Sequence, residues 1–261
     1  MGPNPDNENL PVVELFVRAA ASDKSQKGSS LKGQTWHMIL YRLSEMGLIK
    51  LQLTPIAPGY IPEEYDRLNA ALHLPVAWIK SGEINNKDVA GLSILSDAQL
   101  VELLGQLNHR YLVKELQPLE SQRVELVYND LYANFMGYLH NDKEKPLRAS
   151  LTRVDEYLAK KNTKYLVCNE LTTHDCQLMP RLQQIRVLGR HYKNYDIPTQ
   201  FAAIWKYISL MYGTDTFNVS CPADIDIILS FEDKYPDMNA INKKPREVTC
   251  LKEVPSTPKP K

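Results

Sequence analysis

Apolar residues change their spacing several times along this chain, and each change marks an element. "PVVELFVRA" (Pro11 to Ala19) is dense in β-branched residues and predicts a strand. From Ser30 onward, Trp36, Ile39, Leu40, Leu43 and Met46 recur at helical spacing, and Gly47 is placed to end the helix. "LIKLQLT" (Leu48 to Thr54) alternates as a second strand does. "PEEYDRLNAALH" opens on Pro62 and two glutamates, a start favourable to the helix dipole. "LPVAWIKSGEI" (Leu74 to Ile84) predicts a hairpin turning at Ser81–Gly82, and Ser96 with Gln99 forms a capping box that starts a third helix.

The resulting order, β-α-β-α-β-β-α, is the thioredoxin-like arrangement. Its hallmark is a cis-proline before the third strand, where the backbone faces a bound thiol or peptide. Pro75, after Leu74, occupies that place, although the isomer itself is not legible in the sequence. Beyond about residue 105 the patterns become long and helical. Thr172 and Asp175 stand at capping-box spacing, Asp196 and Pro198 predict the N-cap and first turn of a further helix, and Pro222 opens a last short one. After Tyr235 aromatics vanish while Pro and Lys accumulate. The expected organisation is a disordered N-terminus (1–10), an α/β thioredoxin-like domain (11–107), an all-α domain (108–235) and a disordered Pro/Lys-rich tail (236–261). Together these make the glutathione transferase fold.

Composition narrows the partners. Lys plus Arg and Asp plus Glu both total 31, so the zero formal charge gives no electrostatic footprint for nucleic acid. "FAAIWKYISLMY" (Phe201 to Tyr212) is the most apolar run and falls short of the ~18 residues of a spanning helix. The polar start resembles no signal peptide, which predicts a cytoplasmic address. All four cysteines, Cys168, Cys176, Cys221 and Cys250, lie late in the chain at no zinc-binding spacing, so no metal is expected and reduced structural thiols are. Cys221, ahead of a helix start, sits where the dipole lowers a thiol's pKa, with Asp224 opposing.

Certain stretches resemble a known family. "VELFVRA", then "SD", then "GSSLKGQ" is similar to the opening of the chloride intracellular channel family, with its "ELFVKAGSDG" strand and loop followed by G-x-C-P-[FW]-[SC]-Q. The longer match runs from Cys168 to Ile228 and resembles invertebrate members through "DC-x-LMP-x-L", "IP" and "SCPAD". The resemblance implies a transferase-like fold and a soluble form able to associate with membranes and support chloride conductance. It also implies, in some members, glutaredoxin-like activity through the loop cysteine.

Aligning Gly28 and Gln34 with that motif puts Ser30 at the cysteine's position, Leu31 at the proline's and Lys32 at the aromatic's. The resemblance therefore implies no catalytic thiol here, because the chemistry needs a thiolate and residues 1–167 hold no cysteine. Ser30 has an alternative role, donating to a bound glutathione thiolate as in serine-type transferases. Lys32 and the Leu74–Pro75 backbone would then serve the cysteinyl part, and Ser96–Asp97 the γ-glutamyl end. The family's membrane segment maps to about residues 30–55. Lys32, His37, Arg42, Glu45 and Lys50 make it a poor spanning helix, and an interfacial face of Trp36, Ile39, Leu40 and Leu43 fits better, if that face does not simply pack on the sheet. Three functions follow: a conditionally membrane-associated channel-family protein, a serine-type glutathione transferase or glutathione-binding protein, and a non-catalytic scaffold binding proteins through its helical domain or tail.

Overall fold

The computed structural model describes residues 9–68, 73–107, 118–245 and 248–255. Strand β1 (Val12–Arg18) leads through α1 (Leu31–Glu45) to β2 (Lys50–Ile56), which pairs with β1 in parallel. After a short α2 (Glu63–Asp66), the Leu74–Pro75 peptide bond is cis and β3 (Val76–Ser81) runs antiparallel on the other side of β1. The helix expected to continue toward His73 enters residues 69–72, which lie outside the described residues.

The hairpin turn expected at Ser81–Gly82 is placed differently. Strands β4 (Glu83–Ile84) and β5 (Lys87–Asp88) pair across Asn85–Asn86, whose φ values of 54° and 61° suit a two-residue turn that asparagine tolerates. Gly82 instead carries φ of 111° directly against Pro11, where a Cβ would meet the Pro11 backbone at 2.5 Å. Strand β6 (Ser93–Ile94) then completes a four-stranded sheet of order β2-β1-β3-β6.

Helix α3 (Asp97–Gln106) starts as the sequence predicts: Gln99 N donates to Ser96 Oγ (3.3 Å), while Gln99 Oε1 accepts from Leu95 N (2.8 Å). The expected boundary at 107/108 and the first part of the next helical pattern fall in 108–117, outside the described residues. The helical half continues with α4 (Pro118–Tyr128), α5 (Leu131–Asn141), α6 (Glu144–Lys160), α7 (Thr173–Lys193), α8 (Ala202–Tyr212), α9 (Asp215–Ser220) and α10 (Asp224–Lys234). Helix α7 is its axis. The Asp175 carboxylate accepts from Thr172 N (2.9 Å) and Leu166 N (3.0 Å), satisfying donors at its start.

Asp196 does not cap α8. The bend at residues 194–201 turns its carboxylate onto α7 instead, where it accepts from Arg186 Nε and Nη2 (both 3.1 Å) and from Arg190 Nη2 (2.7 Å), so α8 begins only at Ala202. Arg186 is fully buried and stacks over Trp205, and a buried guanidinium needs that carboxylate more than a helix start does. The tail also departs from the expected disorder over part of its length. Arg186 Nη2 donates to Glu253 O (2.7 Å) and Gln183 Nε2 to Leu251 O (3.0 Å), so residues 248–253 lie along α7.

One core joins the two halves. Val13, Leu15 and Val17 of β1 pack under Trp36, Leu40 and Leu43 of α1, whose far side meets α7 and α9. On the other face of the sheet Phe16, Ile56, Tyr65 and Val76 form a smaller cluster. Helix α1 is therefore held between the sheet and the helical half, and its first turn opens at their junction.

Candidate functional site

The loop before α1 is fixed from below. Gly28 N donates to Arg18 O (2.7 Å), and a Cβ at Gly28 would stand 2.6 Å from Ala19 O, so this approach to β1 needs glycine. Ser30 follows as the N-cap of α1, its Oγ accepting from Gly33 N at 3.2 Å. An N-cap oxygen relieves one orphan donor of the first turn and leaves its own hydrogen for another acceptor.

Ser30 lines two cavities. One of about 480 Å³ runs between the loop and the helical half, walled by Lys32, Tyr132, Gln184, Phe231, Lys234 and Tyr235 among others. The second, about 620 Å³, lies on the strand side with Arg18, Lys24, Pro58, Asp226 and Asp233. Three bonds hold this wall together, two of them across the junction. Gln184 Nε2 donates to Ser29 O (2.7 Å), Tyr132 OH donates to Gln184 Oε1 (2.7 Å), and Ser29 Oγ donates to Asp226 O (3.1 Å). Burial pushes the Tyr132 hydroxyl well above its ordinary pKa, so it remains a donor. Sequence reasoning missed Ser29, Gln184, Asp226 and Lys234, since their roles exist only once the halves meet.

The remaining predicted residues divide into groups. Asp97 Oδ1 accepts from the buried Trp36 Nε1 (2.6 Å) and Oδ2 pairs with Lys32 Nζ (3.3 Å), which ties the start of α3 to the first turns of α1. Lys32 and Asp97 thus come together, but their charges already answer each other. Ser96 is engaged as a cap, and the linings of Ser30's two cavities include none of Leu74, Pro75, Ser96 and Asp97. Trp36, Ile39, Leu40 and Leu43 are at most 4% exposed, so the face considered for membranes is packed on the sheet and on α7 and α9.

Acid–base chemistry is poorly served here. His37, in the second turn of α1, is buried, and burial, with Lys27 acting in the same direction, lowers its pKa to about 4. It is neutral at pH 7 and turned into the core. Among the thiols, Cys176 is fully buried and Cys168 partly so. The expected dipole effect at Cys221 is overridden: a hydrogen bond to Cys250 and burial push that thiol up, and Asp224 adds to the rise. Among the described residues no cluster of His, Cys, Asp and Glu is arranged to hold a metal ion, and no helix is long and apolar enough to cross a membrane.

No family model matches the chain. It is 31% identical to "Chloride intracellular channel Clic" of Drosophila melanogaster over 228 residues, 84% of this chain and 81% of that protein. With "Chloride intracellular channel exc-4" of Caenorhabditis elegans it shares 28% identity over 256 residues, 88% of this chain and 83% of the other. The crystal structure of that worm protein superposes with a TM-score of 0.73 at 25% identity, covering 94% of both chains. A glutathione S-transferase of Methylobacillus flagellatus KT, solved with glutathione bound, matches with a TM-score of 0.52 at 15% identity over 80% of this chain and 99% of its own, a likeness of fold alone.

Proposed function

The chain belongs to the chloride intracellular channel family, and from that premise we propose that it keeps the family's cleft while lacking thiol chemistry at the loop. The observation that carries this reading is Ser30. It caps α1 at the mouth of two cavities, at the position that the motif resemblance gives to the family's cysteine, and among the described residues no histidine or carboxylate is hydrogen-bonded to its hydroxyl to activate it. Serine cannot form a mixed disulfide, so glutaredoxin-type turnover is absent.

Glutathione is the ligand class proposed for the cleft. The Ser30 hydroxyl and Lys32 would take its cysteinyl part in the cavity they line, and the Leu74–cis-Pro75 backbone and Ser96–Asp97, outside both linings, would take the cysteinyl backbone and the amino end only of a ligand that extends beyond that cavity. The thiol is the only chemistry it would bring. Lys32 competes for Asp97, which predicts weak binding.

Membrane association, in this reading, is conditional on undocking α1 from a mainly cytoplasmic form. Exposing each of Trp36, Ile39, Leu40 and Leu43 forfeits roughly 1.5–3 kcal/mol, recovered only where an interface accepts the apolar face. Arg42, bonded to Glu45 (3.1 Å), and Glu45, accepting from Thr216 (2.9 Å), favour a helix lying in the interface over one crossing it. Chloride conductance belongs to that membrane-bound form.

The test pairs chloride efflux from anionic liposomes with glutathione calorimetry on wild type and Ser30→Ala. Efflux with weak glutathione binding and no turnover supports the reading. Glutathione conjugation lost in Ser30→Ala would assign a serine-type transferase instead. Neither efflux nor glutathione binding would leave a scaffold.

A further inference from the structure

Two thiols that line neither of Ser30's cavities lie together where the C-terminal segment meets the turn between α9 and α10. Cys221 sits between α9 and α10, Cys250 sits on the C-terminal segment, and their Sγ atoms are 3.0 Å apart. That is about 1 Å longer than a disulfide bond of ~2.05 Å, so closing it requires only a small movement. The approach is held on both sides of Cys250. Asp224 N donates to Thr249 O (2.8 Å), and Leu251 N donates back to Asp224 Oδ1 (3.1 Å). Gln183 and Arg186 of α7 grip the same segment at Leu251 O and Glu253 O. The two sulfurs therefore meet as an intramolecular pair.

Their surroundings differ in a useful way. Cys221 is buried, whereas Cys250 is partly exposed. The hydrogen bond from Cys221 holds the Cys250 thiol below its ordinary range, with Lys252 and Lys27 acting in the same direction and burial and Asp224 against it. Lys27, itself half-buried in the loop before α1, interacts with both sulfurs and with Asp226. One sulfur is thus favoured as the thiolate and the other keeps a proton.

We propose that Cys221 and Cys250 are a redox pair that a hydroperoxide converts to a disulfide, stapling the C-terminal segment to the start of α10. With hydrogen peroxide, the Cys250 thiolate attacks one peroxide oxygen and the O–O bond breaks. Cys250 becomes a sulfenic acid, and the departing hydroxide takes a proton to leave as water. The Cys221 sulfur then attacks the sulfenic sulfur, the S–S bond forms, and the S–O bond breaks. The Cys221 proton leaves with that hydroxide as a second water. Two thiols have lost two electrons and two protons, and one peroxide has become two waters. The staple closes next to Asp226, whose carboxylate accepts from Ser22 N (2.9 Å) in the loop leading to Ser30.

The experiment treats the reduced full chain with stoichiometric hydrogen peroxide, counts thiols after denaturation and maps tryptic peptides without reductant. The expected result is loss of about two of the four thiols and a link between the peptides spanning 207–234 and 247–252, released by a reductant. Cys250→Ser, a change in the partly exposed segment, is expected to keep its thermal unfolding midpoint and to lose the link. Cys221→Ser loses it too. Sulfinic acid at Cys250 beside a free Cys221 thiol, a link between two chains, or oxidation confined to Cys168 would each overturn the proposal.

Discussion

At the start of α1 the chain places Ser30, open to two cavities and without a thiol anywhere in the first 167 residues. At the start of α10 it places Cys221, covered by the C-terminal segment and 3.0 Å from a second sulfur. Ser30 is the N-cap of α1 and feels the partial positive charge of that N-terminus, whereas Cys221 closes α9 as its C-cap, three residues ahead of the first residue of α10. At α1 the dipole acts on a hydroxyl too weakly acidic to ionise. Ahead of α10, a donated hydrogen bond and burial raise the Cys221 thiol, and the sulfur favoured for reaction is the neighbour, Cys250. A helix start supplies a favourable field; the side chain standing in it, and what else touches that side chain, decide the reactivity.

The largest expected effect falls on α7, which holds the C-terminal segment that carries Cys250. Asp196→Ala leaves the fully buried Arg186 without its carboxylate and loosens its hold on Glu253 O, which predicts a loss of about 3–5 kcal/mol in urea unfolding. An unchanged midpoint would mean that the tail and α7 do not depend on this pair. Next comes acid. His37 of α1 and His174 of α7 are both lowered to about 4 by burial, against about 6.5 in the unfolded chain. The unfolded state binds their protons first, so their stabilisation is complete above pH 6.5 and is lost as pH falls toward 4. Each histidine contributes about 2–3 kcal/mol of that decline by pH 4.5. Unfolding measured between pH 7.5 and 4.5 is expected to show it, with His37→Leu removing one share; a flat profile would contradict the burial of both rings.

Smaller effects separate the two ends of Asp97. Asp97→Ala orphans the buried Trp36 indole N–H and is expected to cost about 1–3 kcal/mol, read by tryptophan fluorescence during urea unfolding. Lys32→Gln breaks a largely exposed pair and a cation–π contact with the Trp36 ring (5.5 Å), and is expected to change stability by less than about 1 kcal/mol. Equal effects from the two would show that Asp97 serves the ion pair and not the indole.

The sequence made the local features of this comparison legible. The helical spacing that begins at Ser30, the Ser96–Gln99 box and the run of β1 each depend on residues within a few positions. Asp196 looked equally local, but its carboxylate turned to Arg186 and Arg190 a helix away, and the burial of that charge outweighed a cap. The hairpin moved to Asn85–Asn86 because Gly82 was needed beneath Pro11. The wall of the cleft at Ser29–Gln184, separated by more than half the chain, and the Cys221–Cys250 approach carry no periodicity or short spacing that would announce them. Tail order depended on Gln183 and Arg186, which read in sequence only as polar positions of a helix.

The most direct test restores what the loop lacks. Ser30→Cys, reduced and then exposed to oxidised glutathione, is followed by mass mapping of the modification at position 30, with free cysteine as the rate reference. A scaffold that kept the family's cleft predicts a mixed disulfide at the introduced thiol, formed faster than free cysteine reacts, because the helix start and Lys32 favour the thiolate. A rate equal to or below that of free cysteine would mean that this helix start does not activate a thiol, and that the site at Ser30 is not the family's cleft with one residue changed.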